Sequence, residues 1–161
     1  MALFHHIDLR VTWSDTDPAG IAWFGVFFRY FEHAEEDLYL RLGSDRTALL
    51  RTLTIFMPRT SLQCGFRSPA KLGDEISVGV GISTMTDRRI GFAFDIHQRD
   101  TGRLICEASY RVACVDATTF AAHPFPHQVV SLLAVALQGP PDEGRTKDQG
   151  RTKNSAPRTR D

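Results

Sequence analysis

Two carboxylates stand two positions apart in Asp15-Thr16-Asp17-Pro18-Ala19-Gly20, and the apolar run Ile21-Ala22-Trp23-Phe24 follows at once. A carboxylate held beside hydrophobic walls, aimed at a carbonyl that the unpaired N–H groups of a helix start can polarise, is able to act as nucleophile or general base. The plainer alternative is that Asp15 or Asp17 caps the turn, as Asp commonly does before Pro. Residue chemistry alone leaves both open. Arg88-Arg89, preceded by Asp87, is a second candidate, because two guanidinium groups on a turn can clamp a phosphate, though a solvated hairpin tip reads the same way.

Other chemistries have little to stand on. There is no G-x-S-x-G elbow, and Gly79-Val80-Gly81 lacks the third glycine and the following helix of a dinucleotide site. His5 and His6 would point to opposite faces of a strand, while Pro124 and Pro126 bar the helix that would bring His123 and His127 together. No metal site is expected. Cys64, Cys106 and Cys114 are odd in number and lack C-x-x-C spacing, so they read as small core residues.

The elements that must position these groups follow from periodicity. His6–Trp13 alternates as a strand, and Ser14–Gly20 is a polar turn. With Phe31 at its centre, a helical stripe gathers Phe24, Phe27, Phe28, Ala34, Leu38 and Leu42, and Gly43 followed by Ser44-Asp45 is a stop and a new N-cap. Glu35 falls within the apolar arc; the expectation is that it reaches solvent at the edge or pairs with Arg41 or a partner subunit, while Glu32 gives outer support. A short helix is expected over Arg46–Leu53. Strands follow over Arg59–Arg67, Glu75–Met85, Ile90–Arg99 and Arg103–Asp116, with a hairpin at Asp100-Thr101-Gly102, and Phe125–Leu137 closes as a helix. Hairpin links demand antiparallel pairing, so the class is α+β: a sheet wrapped around one long helix.

The chain has 161 residues with nineteen Lys+Arg against nineteen Asp+Glu, which offers no overall field for nucleic acid or an anionic membrane. No apolar run reaches the length of a membrane span and the first ten residues are unlike a signal peptide, so a cytoplasmic protein is expected. Composition divides it into a body, residues 1–138, and a polar tail, Gly139–Asp161, with six Lys+Arg, four acids and Ala156 as its one apolar residue. Such a segment cannot bury enough apolar surface to offset its ordering entropy.

The run Asp15–Gly43, with its D-x-D-P-A-G-I-A-W-F opening and Phe27-Phe28-Arg29-Tyr30-Phe31-Glu32-His33-Ala34 continuation, closely resembles the 4-hydroxybenzoyl-CoA thioesterase family of hotdog-fold enzymes. The likeness continues more weakly through Phe66–Asp74, the Arg88-Arg89 turn and the last long strand, departing at Val26 where relatives often carry Asn. It implies an acyl-CoA thioesterase, aroyl rather than short aliphatic in preference and needing no cofactor. By that resemblance Asp17 is the catalytic carboxylate, the backbone N–H of Phe24 polarises the thioester carbonyl, and Arg88 and Arg89 lie near the CoA phosphates. Trp23 and Gly25, on either side of Phe24, are assigned to substrate binding. The rivals are a hotdog hydratase/dehydratase, which would need a His beside the carboxylate, and a non-catalytic acyl-binding module. The resemblance also implies a homodimer joined edge to edge, assembling further to a homotetramer.

Overall fold

The computed structural model describes residues 3–137. Five strands form one antiparallel sheet in the order β1 (His5–Arg10), β4 (Glu75–Met85), β5 (Arg89–Gln98), β6 (Leu104–Ala113), β3 (Arg59–Phe66). Against it lie α1 (Val26–Arg41) and α3 (His127–Leu137); a two-stranded ribbon pairs β2 (Ile55–Phe56) with β7 (Val115–Asp116), and the short α2 (Arg46–Thr52) packs on α1 and β2. This is the expected α+β hotdog arrangement. Gly139–Asp161, expected as a polar tail, lies outside the described residues.

The register explains the core. Ile7 opposes Val78, Val78 opposes Ile96 and Val80 opposes Phe94, so these side chains share the face that meets α1. Phe31 of α1 packs on Phe94 with ring centroids 4.8 Å apart, and Phe94 in turn on Tyr110 at 5.0 Å. The opposite face carries His6, Asp95 and His97, which keeps β1, β4 and β5 alternating and fixes their register.

The end of α1 is the one its sequence dictates. Gly43 takes φ +82°, Ser44 N–H donates to Tyr39 C=O and Gly43 N–H to Leu40 C=O, each at 2.9 Å, which closes the last turn before Asp45 accepts from Ala48 N–H at 2.7 Å to open α2. The beginning differs from expectation. The helix opens at Val26, so Phe24 lies in the preceding turn, outside the helical phase, and is 70% exposed; Phe28 is 40% exposed. The buried face instead takes in Val26, Tyr30, Glu35 and Tyr39 beside Phe27, Phe31, Ala34 and Leu38.

Other boundaries shift for local reasons. β1 stops at Arg10 because Thr12 turns back onto Asp15, making a single 3-10 turn over Trp13–Asp15. The last long strand is broken: β6 ends at Ala113, whose N–H goes to Pro58 C=O at 3.1 Å, and β7 leaves the sheet to pair with β2. α3 starts after Pro126, whose carbonyl receives the N–H groups of Val129 and Val130, since a residue before proline is kept extended.

Candidate active site

The loop between β1 and α1 is tied down from both sides. Ala22 N–H donates to Ala70 C=O at 2.8 Å, Leu72 N–H to Gly20 C=O at 3.1 Å, and Gly73 and Val11 are linked by a further bond at 2.9 Å. Inside that frame Gly20, at φ +73°, lets the chain fold back so that its N–H reaches Asp17 C=O and Asp17 N–H reaches Ile21 C=O, both at 2.9 Å. Asp17 is thereby held in a closed turn, with its backbone fully engaged.

Its side chain is only half engaged. Oδ1 accepts the Ala19 N–H at 2.8 Å, while Oδ2 has no hydrogen-bond partner among the described residues. The carboxylate faces a cavity of about 650 Å³ walled by Trp23, Phe24, Phe27 and Phe66, with Arg67 and Ser68 at the rim. Phe24 lines it too, and the N–H groups of Phe24 and Gly25 make no hydrogen bond among the described residues, because they precede the first turn of α1. They are the positive end of a 16-residue helix. Asp17, with a free carboxylate oxygen, and Phe24, with a free N–H, thus line one apolar space, and a carbonyl under nucleophilic attack requires groups of both kinds.

Gly25 has a steric reason to be glycine. A Cβ there would collide with the indole of Trp23, so the ring lies flat over the start of α1 and forms one wall of the cavity.

Asp15, two residues upstream, is built differently. It is 1% exposed; Oδ2 accepts from Thr12 N–H at 2.8 Å and from the Thr12 hydroxyl at 2.7 Å, and Oδ1 pairs with Arg29. Burial works against its charge, but the two Thr12 bonds, the neighbouring Tyr30 hydroxyl and the Arg29 guanidinium outweigh it and hold the carboxyl below its ordinary range. The Tyr30 hydroxyl stands just outside hydrogen-bond geometry, and burial followed by the Asp15 charge pushes its own pKa up. Asp15 therefore braces β1 against α1.

Glu35 corrects an expectation. It does not reach solvent or pair with Arg41; at 1% exposure it pairs with Arg59 Nη2 at 2.6 Å and Arg46 Nε at 3.1 Å and accepts from the Tyr110 hydroxyl. Three polar partners compensate its burial, and the Arg59 guanidinium also lies 4.9 Å from the centre of the Tyr110 ring. The partners come from α2, β3 and β6, remote in sequence, so helix periodicity alone could not find them. Glu32 is exposed and makes no hydrogen bond among the described residues.

Of the residues singled out from sequence, Asp17, Trp23 and Phe24 line one cavity, and Gly25 lies against the Trp23 ring without lining it. Arg88 and Arg89 do not join them within one chain: both are exposed at the β4–β5 hairpin, where Arg89 opposes Ala113, whereas the cavity lies by Phe66, which opposes Cys106 at the other end of β6. Phe66, Arg67 and Ser68 are cavity residues; the sequence offered them as a strand end with a Ser-Pro terminator inside the run Phe66–Asp74 that resembles the family, with Arg67 and Lys71 as weaker phosphate candidates than Arg88 and Arg89. His33 is exposed on α1 and no histidine lines the cavity. Among the described residues no cluster of three or more metal-ligating side chains occurs, and no helix is long and apolar enough to cross a membrane. A larger cavity, about 730 Å³, lies elsewhere, but no carboxylate lines it.

Residues 11–133 match the model of the thioesterase-like superfamily. The chain belongs to that superfamily. It is 23% identical over 138 residues to the 1,4-dihydroxy-2-naphthoyl-CoA hydrolase of Thermosynechococcus vestitus, covering 86% of this chain and 91% of the relative. It is 24% identical over 123 residues to the acyl-CoA thioester hydrolase YbgC of Escherichia coli, covering 76% and 90%. Among solved structures, the 1,4-dihydroxy-2-naphthoyl-CoA thioesterase of Synechocystis superposes with a TM-score of 0.74 at 20% identity, covering 80% of this chain and 94% of that one. A gentisyl-coenzyme A thioesterase superposes with a TM-score of 0.68 at 22% identity, covering 78% and 98%. As a member of the thioesterase-like superfamily, this chain is a thioester hydrolase, and the Asp17 loop and the opening of α1 fall inside the matched residues.

Proposed function

We propose that the protein hydrolyses acyl-CoA thioesters at Asp17. The observation that carries this is that Asp17, with a partly unsatisfied carboxylate, and Phe24, with a free N–H, line one apolar cavity. With the thioester carbonyl oxygen on the Phe24 N–H, developing negative charge meets a fixed donor and the positive end of α1. Asp17 then acts in one of two balanced ways. It attacks the carbonyl carbon, expelling CoA thiolate and leaving a mixed anhydride that water hydrolyses to the carboxylate and free Asp17. Alternatively it takes a proton from water as that water attacks. Neither route calls on a cofactor.

The acyl group we assign is aromatic. Trp23, Phe24, Phe27 and Phe66 surround the cavity, and rings of that number favour stacking or edge contact with an aroyl group over a short aliphatic chain. Two of the similar proteins carry aromatic acyl groups in their names. The absence of histidine from the cavity lining argues against dehydration chemistry. The test is thiol release from a panel of acyl-CoA substrates, followed colorimetrically. The expected result is turnover with kcat/KM higher for benzoyl-CoA and its hydroxy forms than for butyryl- or hexanoyl-CoA; the reverse order overturns the aroyl assignment, and no release from any member overturns the reading.

Assembly belongs to the same proposal. β3 is an edge strand with exposed Leu62 and Phe66, a surface that invites pairing with another β3. An antiparallel pair turns the second copy end for end, which would carry Arg88 and Arg89 of the partner subunit to the end where Asp17 lies and give them access to CoA phosphates. Light scattering should find a dimer or tetramer; a stable monomer at micromolar concentration contradicts it.

A further inference from the structure

The larger cavity lies under α2, between that helix and the β2–β7 ribbon. It shares no lining residue with the Asp17 cavity: one is walled by Phe66 at the end of β3, the other by Met57 and Pro58 just before that strand begins. Its walls are apolar, with Leu50, Ile55, Met57 and Val115 below and the rings of Phe56 and Phe120, 5.7 Å apart, at the mouth. Both rings are exposed, 48% and 68%, in a place where folding alone gives them nothing to cover.

Its charge is one-sided. Arg46 and Arg51 line it and no acidic residue does. Among the described residues Arg46 is ion-paired with Glu35, and that single charge is divided between Arg46 and Arg59, with the Tyr110 hydroxyl taking a further lone pair. Arg46 thus shares its counter-ion with Arg59, which lies outside the lining, and exposed Arg51 adds a second cation at the rim. The Arg46 Nε faces Glu35 without hydrogen-bond alignment, so its donor is not fully used. The backbone at the mouth is constrained as well: Thr54 and Phe120, both lining residues, take φ +52° and +57°, a region that bulky L residues rarely adopt.

We infer that this cavity is a second ligand site, for an apolar carboxylate: a ring or alkyl chain among Leu50, Ile55 and Met57 with its carboxylate toward Arg46 and Arg51. An apolar lining with a few convergent cationic groups selects that class over a neutral lipid or a cation. Carboxylates are also what thioester hydrolysis releases, but the inference rests on the cavity and not on the Asp17 reading.

The experiment uses the full chain labelled with ¹³C-methyl methionine. The sequence has three methionines, of which Met57 lines the cavity and Met85 does not. Octanoate is titrated against 1-octanol as the uncharged control. The expected result is a saturable shift of the Met57 methyl with octanoate at a Kd about 10-fold below that for 1-octanol, and no shift of Met85. Arg51→Glu, at an exposed position, should weaken octanoate by about 10-fold and leave 1-octanol unchanged. Thr47→Trp, on the exposed side of α2, should block both while the melting curve stays that of the parent. An unmoved Met57 methyl overturns the site, equal affinity for the two probes overturns the charge selection, and a Met57 shift that follows protein concentration without ligand shows that a second copy fills the cavity instead. None of these readouts uses turnover, so failure here leaves the thioesterase proposal untouched.

Discussion

Asp17 and Glu35 are both carboxylates next to aromatic side chains on or beside the same helix, and they are finished in opposite ways. Glu35 is buried, with Oε2 bonded to Arg59 and Tyr110 and Oε1 in an ion pair with Arg46 that lacks hydrogen-bond alignment, so both oxygens face cationic groups of the protein. Asp17 keeps Oδ2 free and faces an open apolar cavity, while the turn that holds it is saturated with backbone bonds. A carboxylate whose oxygens both face cations of the protein locks elements together; on the proposed function, one with a free oxygen in a cavity shared with a free N–H is left for substrate. The difference separates structural from chemical roles better than burial or sequence position does.

Breaking the Glu35 cluster should have the largest effect on stability. Glu35→Ala leaves two guanidiniums and the buried Tyr110 hydroxyl without their carboxylate, and should cost about 3–5 kcal/mol in urea unfolding. Glu35→Gln, which keeps an acceptor, should cost less. Activity per folded molecule should change little in either, since the cluster lines no part of the Asp17 cavity.

Asp15 sharpens the comparison, because it sits beside Asp17 in sequence yet is finished like Glu35. Asp15→Asn should cost about 1–3 kcal/mol. Its carboxyl is held below the ordinary value of 3.8, so the stability it contributes is complete above about pH 4 and is lost as pH falls through the lower folded value. Acid unfolding followed by circular dichroism should therefore lose one steep component in Asp15→Asn, while the stability of the two proteins converges toward low pH.

A smaller effect is expected at Gly25. Its φ of −74° suits alanine, so Gly25→Ala should fold, but the new methyl group must displace the Trp23 indole. We expect about a 10-fold fall in kcat/KM with a changed tryptophan emission. The smallest effect should come from removing Gly139–Asp161, a stretch whose one apolar residue is Ala156; melting temperature and turnover should both stay unchanged.

How much of this was legible in sequence depends on whether the information was local. The Asp17 turn was, because Pro18, Gly20 and the aromatic run specify a bend and its apolar surroundings within ten residues. The stop at Gly43 and the cap at Asp45 were, for the same reason. The exposed positions of Phe24 and Phe28 were not, because apolar type predicts burial only when something covers the residue, and Phe24 precedes the helix altogether. Glu35 was misread because its partners lie 11, 24 and 75 positions away, at Arg46, Arg59 and Tyr110. The β2–β7 ribbon escaped notice because strands of two residues carry no period.

The central claim is that Asp17 does the chemistry and the rest of the loop holds it there. Asp17→Asn keeps the oxygen that accepts the Ala19 N–H and so should fold and bind acyl-CoA as the parent does, with charge and nucleophilicity removed. Turnover of the best acyl-CoA substrate, measured by thiol release with a melting curve on the same sample, should fall by about 10²–10⁴. An Asp17→Asn protein that melts normally and turns over at the parent rate contradicts the account.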